Sequence, residues 1–451
     1  MKKTLILGAA ALAAAAWAPL ADAGEVKLGG YYMGRWQMYD ANMTDEVAPA
    51  DTGERYVHRL QLKADMIASE KSHAHMVVRV LDTAAIEGAD LGSASSDTGA
   101  AGGVADTQVS NVANLADPWE IRQMWLETEA WGVGIKFGEM PISLNDKILV
   151  GDDTSSHGGL LLSKTFGNIT AVVGNIRINE DVNAGTATND AATKGADSDD
   201  ANLWAASLFG KVGLADYNFT LAYADLQEAS DFMEVLETVC GATTCTTTDA
   251  SNIWAALTLS GKLGYVNAVG TLIYEDGYDL SQDTTGSKIS NLWSSSGILG
   301  ALRLSGATGF GEWNAYGFVA SEDFNNITND RAEWSPTWDM SGPGGIDLLN
   351  TFATGGGTNT SPSENMTGIG VGLKVKAAGW TINPNLDYAE VTEAQTGGTW
   401  DSAIGGSLLL STQIQKDTTL LLEAAMVNPE GINITNEDNA YFAQAGIKMN
   451  F

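Results

Sequence analysis

From residue 24 to its end the chain is written in alternation. In VKLGGYYMGRWQMYD, residues 26 to 40, Val26, Leu28, Tyr32, Trp36 and Met38 fall on one face of an extended strand and Lys27, Tyr31, Arg35 and Gln37 on the other. MTGIGVGLKVKAAG repeats the pattern, with Ile369, Leu373 and Val375 opposing Lys374 and Lys376, and so does TTLLLEAAMV, with Leu420, Leu422 and Met426 opposing Glu423. Such runs are about 9 to 14 residues long, the length a tilted strand needs to cross hydrocarbon. A soluble sandwich alternates too, so the period alone defines an all-β chain and not its setting.

The connections define the setting. Short joins at 69 to 72 (SEKS), Gly167-Asn168, Gly213 to Asp216, Gly261 to Gly264, Gly306 to Gly309, Ala377 to Gly379 and Lys416-Asp417 alternate with long ones. The long ones cover 84 to 117, about 20 residues from 180, 228 to 251, 279 to 290, 324 to 366 and 431 to 437. This rhythm predicts a closed antiparallel transmembrane β-barrel of about 18 strands, 16 being the alternative, with short periplasmic turns and long extracellular loops. Closure is a physical requirement, because an open sheet edge in hydrocarbon leaves backbone groups unpaired. One domain, 24 to 451, is expected.

The first 23 residues, MKKTLILGAAALAAAAWAPLADA, read as a secretory signal peptide: two lysines, an apolar stretch and an Ala21-Asp22-Ala23 cleavage site. Its removal takes Lys2, Lys3 and Asp22 and changes the formal charge from −32 to −33. So acidic a chain is a poor partner for nucleic acid or an anionic surface. The only cysteines, Cys240 and Cys245, are expected to form a local disulfide on an exported loop. No metal or cofactor is expected, since two thiols with no histidine nearby leave a zinc site half built.

A weak internal echo joins ANLWAASLFGKVG, SNIWAALTLSGKLG and SNLWSSSGILGALRLSG, placing Trp204, Trp254 and Trp293 in equivalent positions near the outer end of a strand. Two readings stay open: a lumen-facing aromatic track for sugar rings, or an interfacial girdle. A one-residue slip converts one into the other.

The strand and loop rhythm and the terminal AYFAQAGIKMNF resemble the Gram-negative porin family, whose last strand alternates apolar residues up to a final Phe. The resemblance implies an outer-membrane location, passive diffusion of small hydrophilic solutes, homotrimers, lipid and lipopolysaccharide as surroundings, and recognition by the barrel-assembly machinery. Tyr441 and Phe451 would belong to the assembly signal. The segment IRQMWLETEAWGVGIKFGEMPISLNDKILVGDD is similar to the region where porins fold their third loop into the lumen, although it lacks the PEFGG-type core of the general porins.

Parity on the early strands puts Arg35, Arg59, Lys63, Arg79, Arg122 and Lys136 in the lumen as a basic wall. If 140 to 157 folds inward, Asp146, Asp152 and Asp153 would face that wall and set up a transverse field. The plain alternative is solvated filling of a polar interior. Acidic loops at the outer mouth pull selectivity toward cations and the basic wall toward anions. An enzyme is the rival of another class, but Asp152, Asp153, Ser155, Ser156 and His157 are close in sequence without being a triad. An adhesin built on the long loops is the third class, and neither rival explains basic residues repeated along strand interiors.

Overall fold

In the computed structural model the described residues are 24–40, 52–86, 120–179, 201–225, 251–276, 296–321, 324, 339–340, 346–347, 366–391, 402–430 and 439–451. Residues 1–23, Cys240, Cys245 and Trp293 lie outside them. The first half of the chain gives β1 (Glu25–Asp40), β2 (Thr52–Ser69), β3 (Ser72–Ile86), β4 (Glu120–Ala130), β5 (Val133–Leu144), β6 (Val150–Phe166), β7 (Ile169–Asn179), β8 (Ala201–Val212) and β9 (Ala215–Asp225). The second half gives β10 (Ser251–Leu263), β11 (Val266–Asp276), β12 (Ser296–Ala307), β13 (Gly311–Ala320), a two-residue pair β14 (Asp339–Met340) and β15 (Ile346–Asp347), then β16 (Met366–Ala377), β17 (Trp380–Val391), β18 (Ser402–Gln415), β19 (Thr418–Glu430) and β20 (Ala440–Asn450).

Apart from β14 and β15, all belong to one 18-stranded antiparallel sheet in which each strand pairs with its sequence neighbours. The sheet closes where β20 pairs with β1, from Tyr31↔Asn450 to Asp40↔Tyr441. Phe451 completes the seam: its N–H donates to Gly30 O at 3.1 Å and its carbonyl accepts from Gly30 N–H at 3.0 Å. A Cβ on Gly30 would stand 3.0 Å from the Phe451 ring, so the missing side chain is what lets the terminal ring lie across the joint.

The outward face carries apolar side chains on every wall, including Leu28, Leu126, Leu162, Val173, Leu208, Leu257, Leu272, Leu302, Ile369, Leu408, Met426 and Ile447. Aromatic residues bound this band. Trp131, Tyr265, Phe310 and Phe451 lie at the short-turn end, and Tyr56, Trp204, Tyr223, Tyr274 and Tyr441 lie toward the loop end, the arrangement of a barrel seated in a bilayer.

Candidate functional site

The lumen is built around one departure from the wall. At Gly138, φ is 121°, and a Cβ there would meet Met124 O at 2.4 Å; beyond it β5 and β6 continue as a paired hairpin that turns inward. Its tip holds three successive residues in the left-handed region, Asn145 (52°), Asp146 (60°) and Lys147 (64°). Strain at three non-glycine positions needs an anchor. Asn145 Nδ2 supplies one by donating to Asn218 O on β9 and Thr258 Oγ1 on β10, each at 3.3 Å. Arg303 on β12 donates to Asp146 and forms an ion pair with it. The hairpin therefore spans the barrel interior from β5–β6 to the β9–β12 side. Burial raises the Asp146 carboxyl above its ordinary 3.8, against the opposing pull of Arg303.

Apolar packing fixes the hairpin. Met140, Ile142, Ile148, Leu149 and Val150 are buried and form one cluster with inward residues of the facing wall, among them Ile176, Leu203, Trp254, Ile273, Leu299 and Phe318. This half of the interior, from β7 to β13, is a hydrophobic core where a polar, solvated lining was expected. Polar groups within it bond to one another: Thr258 with Thr271 at 2.9 Å, and Asn252 Nδ2 donating to fully buried Glu275 at 2.8 Å.

The opposite side, β1 to β5, carries polar inward residues that bond to Gln444 and Glu423 of β20 and β19, although Val427 and Phe442 on those two strands are buried in the apolar cluster. Arg35 is only 6% exposed, and its Nη1 donates to Gln444 Oε1 at 3.1 Å; Gln37 donates to the same oxygen, and Gln444 donates to Glu423. Cross-strand register puts Arg59 opposite Met33, Lys63 opposite Gly29 and Arg79 opposite Gln61, all on the face of Arg35. Arg122 sits in the bulge between the Val77–Gln123 and Val78–Ile121 pairs, outside the plain alternation used to place it. Lys136 pairs with Glu127 at 3.5 Å and lies 5.9 Å from the Trp125 ring centroid. Trp125 stacks on His75 at 4.6 Å, and His75 is hydrogen-bonded to Asp65 at 2.6 Å.

Two expectations need correction. The tryptophan echo is not an echo in space: Trp204 faces outward beside Tyr223 and is 57% exposed, whereas Trp254 faces inward and is 1% exposed. Inward positions on β8 are odd-numbered (Leu203, Ser207) and on β10 even-numbered (Ala256, Thr258), so the same motif presents opposite faces. No continuous track runs through them. Asp146 does not face the predicted basic wall; it engages Arg303, a residue that wall did not include. The side chains of Asp152, Asp153 and His157 lie outside the described residues. Arg303 was readable from GALRLSG, where exposed Leu302 and, by register, Leu304 take the face opposite to it. The buried hairpin left a fainter trace: Leu203-Trp204, Leu272-Ile273 and Ile298-Leu299 are strand segments apolar on both faces.

A closed membrane-spanning barrel with an inward-folded hairpin defines a porin-type fold. Among solved structures, OccK11 (OpdR) of Pseudomonas aeruginosa matches at TM-score 0.53 and 10% identity, over 96% of either chain. OpdK of the same organism, solved with vanillate, matches at TM-score 0.54 and 10% identity over 95% of this chain and 98% of its own. A BenF-like porin from Pseudomonas fluorescens Pf-5 gives TM-score 0.54 and 10% identity over 94% and 98%. No protein-family model matches the sequence, and no curated protein sequence does.

Proposed function

We propose that the protein is a porin of the Gram-negative outer membrane that lets small hydrophilic solutes diffuse passively, with no chemical step, and that favours anions. The divided lumen carries this reading: the hairpin and the β7–β13 wall exclude water from one half, which leaves Lys63 exposed and Arg59 half-buried on the other side, with Arg35 and Arg79 buried in the same wall. Fixed cations in a narrow, low-dielectric passage raise the local concentration of anions. The vanillate in OpdK is an aromatic carboxylate, a solute such a wall suits. The saccharide alternative loses support with its aromatic track, because Trp204 points to the membrane side.

The same reading takes residues 1–23 as a cleaved signal peptide, Cys240–Cys245 as a loop disulfide, Tyr441 and Phe451 as the assembly signal and a homotrimer as the assembled form. It is supported by the outward apolar face of β20, where Tyr441, Ile447, Met449 and Phe451 are all exposed. Single-channel recording in a planar bilayer under a salt gradient tests it. Ohmic steps with a reversal potential on the anion side are expected, and a folded barrel that passes no current would contradict it.

A further inference from the structure

The outward face is interrupted between three neighbouring strands. Between β13, β16 and β17 lies an open groove of about 480 Å³ whose lining side chains include Trp313, Ala315, Val371, Leu373, Pro384 and Leu386. Its cause is local. Pro384 has no N–H to give to the ladder, and the register passes from Gly372↔Asn385 directly to Val375↔Ile382. Trp313 lies back over Gly306, where a Cβ would meet its Nε1 at 2.8 Å, and so leaves the space beside small Ala315 unfilled.

We propose that this groove seats one acyl chain of a phospholipid from the periplasmic leaflet. The inference rests on the outer-membrane reading above. At this depth the surrounding solvent is hydrocarbon, and an apolar hollow continuous with the lipid-facing band has no water to fill it. Leaflet follows from position. Leu373 and Pro384 stand five residues from the Ala378–Gly379 turn, about 16 Å along strands tilted by about 40° and so about 13 Å in depth, near the middle of a band about 25 Å tall, while the Trp313 end of the groove lies in its periplasmic half. Trp313 is closer still to its own turn, at the third position of β13. Lipopolysaccharide is confined to the outer leaflet, so the Trp313 end of the groove meets phospholipid.

Native mass spectrometry of the barrel extracted in mild detergent, with bilayer conductance measured on the same preparations, tests the proposal. Wild type should retain one phospholipid mass, and the groove-filling Ala315→Trp should lose it while conducting normally. Equal lipid retention in both, with conductance intact, overturns the lipid seat alone; absence of conductance in both sinks the channel reading instead. A second copy retained in place of lipid, and lost in Ala315→Trp, would make the groove a subunit contact and overturn the proposal. Should Ala315→Trp not fold, brominated-acyl phospholipid supplies the test on wild type. The quenching assigned to Trp313 by difference from Trp313→Phe should saturate at lower brominated-lipid fraction than that of the other tryptophans, and equal saturation would refute it.

Discussion

The two sides of the lumen use the same inward-facing strand positions for opposite purposes. On β1 to β5 those positions hold Arg35, Gln37, Arg59, Lys63, Arg79 and Lys136; on β7 to β13 they hold Ile176, Leu203, Trp254, Ile273, Leu299 and Phe318. One side carries charged and hydrogen-bonding groups and the other packs against a hairpin that crosses the barrel. The difference teaches that period two tells which face a residue takes, while the character of that face is set by what comes to meet it. A chain segment driven inward must bury its own apolar residues, so the facing wall is apolar wherever the hairpin lands.

The largest expected break in this contrast comes from Trp254→Ala. Removing a fully buried indole from the packed side should destabilise the barrel by about 3–5 kcal/mol, read as a lower urea midpoint in micelles. Trp204→Ala, on the outward face, should cost well under half of that. Equal effects would mean that the packed half is not a core.

Next is the contact that ties the hairpin to its wall. The Arg303 and Asp146 side chains are 40% and 20% exposed, so solvent screens the pair, and since burial disfavours the ionised carboxyl, Asp146→Asn should change stability by less than about 1 kcal/mol. Its channel consequence is larger: a looser hairpin should give noisier and higher conductance. The exchange Asp146→Arg with Arg303→Asp should restore quiet steps. Failure of the exchange to restore them, with either single variant noisy, would point to shape and not charge as the tether.

A smaller effect is expected in selectivity. Arg35→Gln with Arg79→Gln should lower the chloride-over-potassium permeability ratio by about two- to threefold at low salt, where the Debye length is about 30 Å at 0.01 M, and by little at 1 M, where it is about 3 Å. No change at low salt would mean that the path does not run past this wall.

The smallest effect is in pH. Burial raises the Asp146 carboxyl, so between its unfolded and folded values the folded state holds more proton than the unfolded. The group therefore contributes most stability below the ordinary 3.8 and loses that contribution as pH rises through the raised folded value. The ionic contact with Arg303 runs the other way and weakens as pH falls through the same value. Conductance noise should therefore begin to rise at a pH above 3.8 in the native protein, and Asp146→Asn should abolish the transition.

Much of the fold was legible because a barrel wall in hydrocarbon leaves the sequence little freedom: each strand must alternate, each hairpin must turn, and the last strand must meet the first. The short joins fall where SEKS, Gly167-Asn168 and Lys416-Asp417 indicate, and the terminal Phe451 indeed lies on the seam. The site was less legible. The resemblance marked 140 to 157 for an inward fold, but MPISLNDKILV itself reads as one more alternating strand and turn, and Gly138 with its left-handed backbone marks where it leaves the wall. The tryptophan motif misled because similar local sequence in β8 and β10 is held in registers one residue apart in facing, a property of strand pairing that short similarity does not record.

The most direct test of a path confined to the basic side compares single cysteines on the two walls, in a background with Cys240 and Cys245 replaced by serine. Gln61→Cys on β2 faces the passage, and Ala256→Cys on β10 lies within the packed half. A charged methanethiosulfonate reagent should modify Gln61→Cys and cut the current while leaving Ala256→Cys untouched. Current block through Ala256→Cys, with Gln61→Cys inert, would contradict the divided lumen.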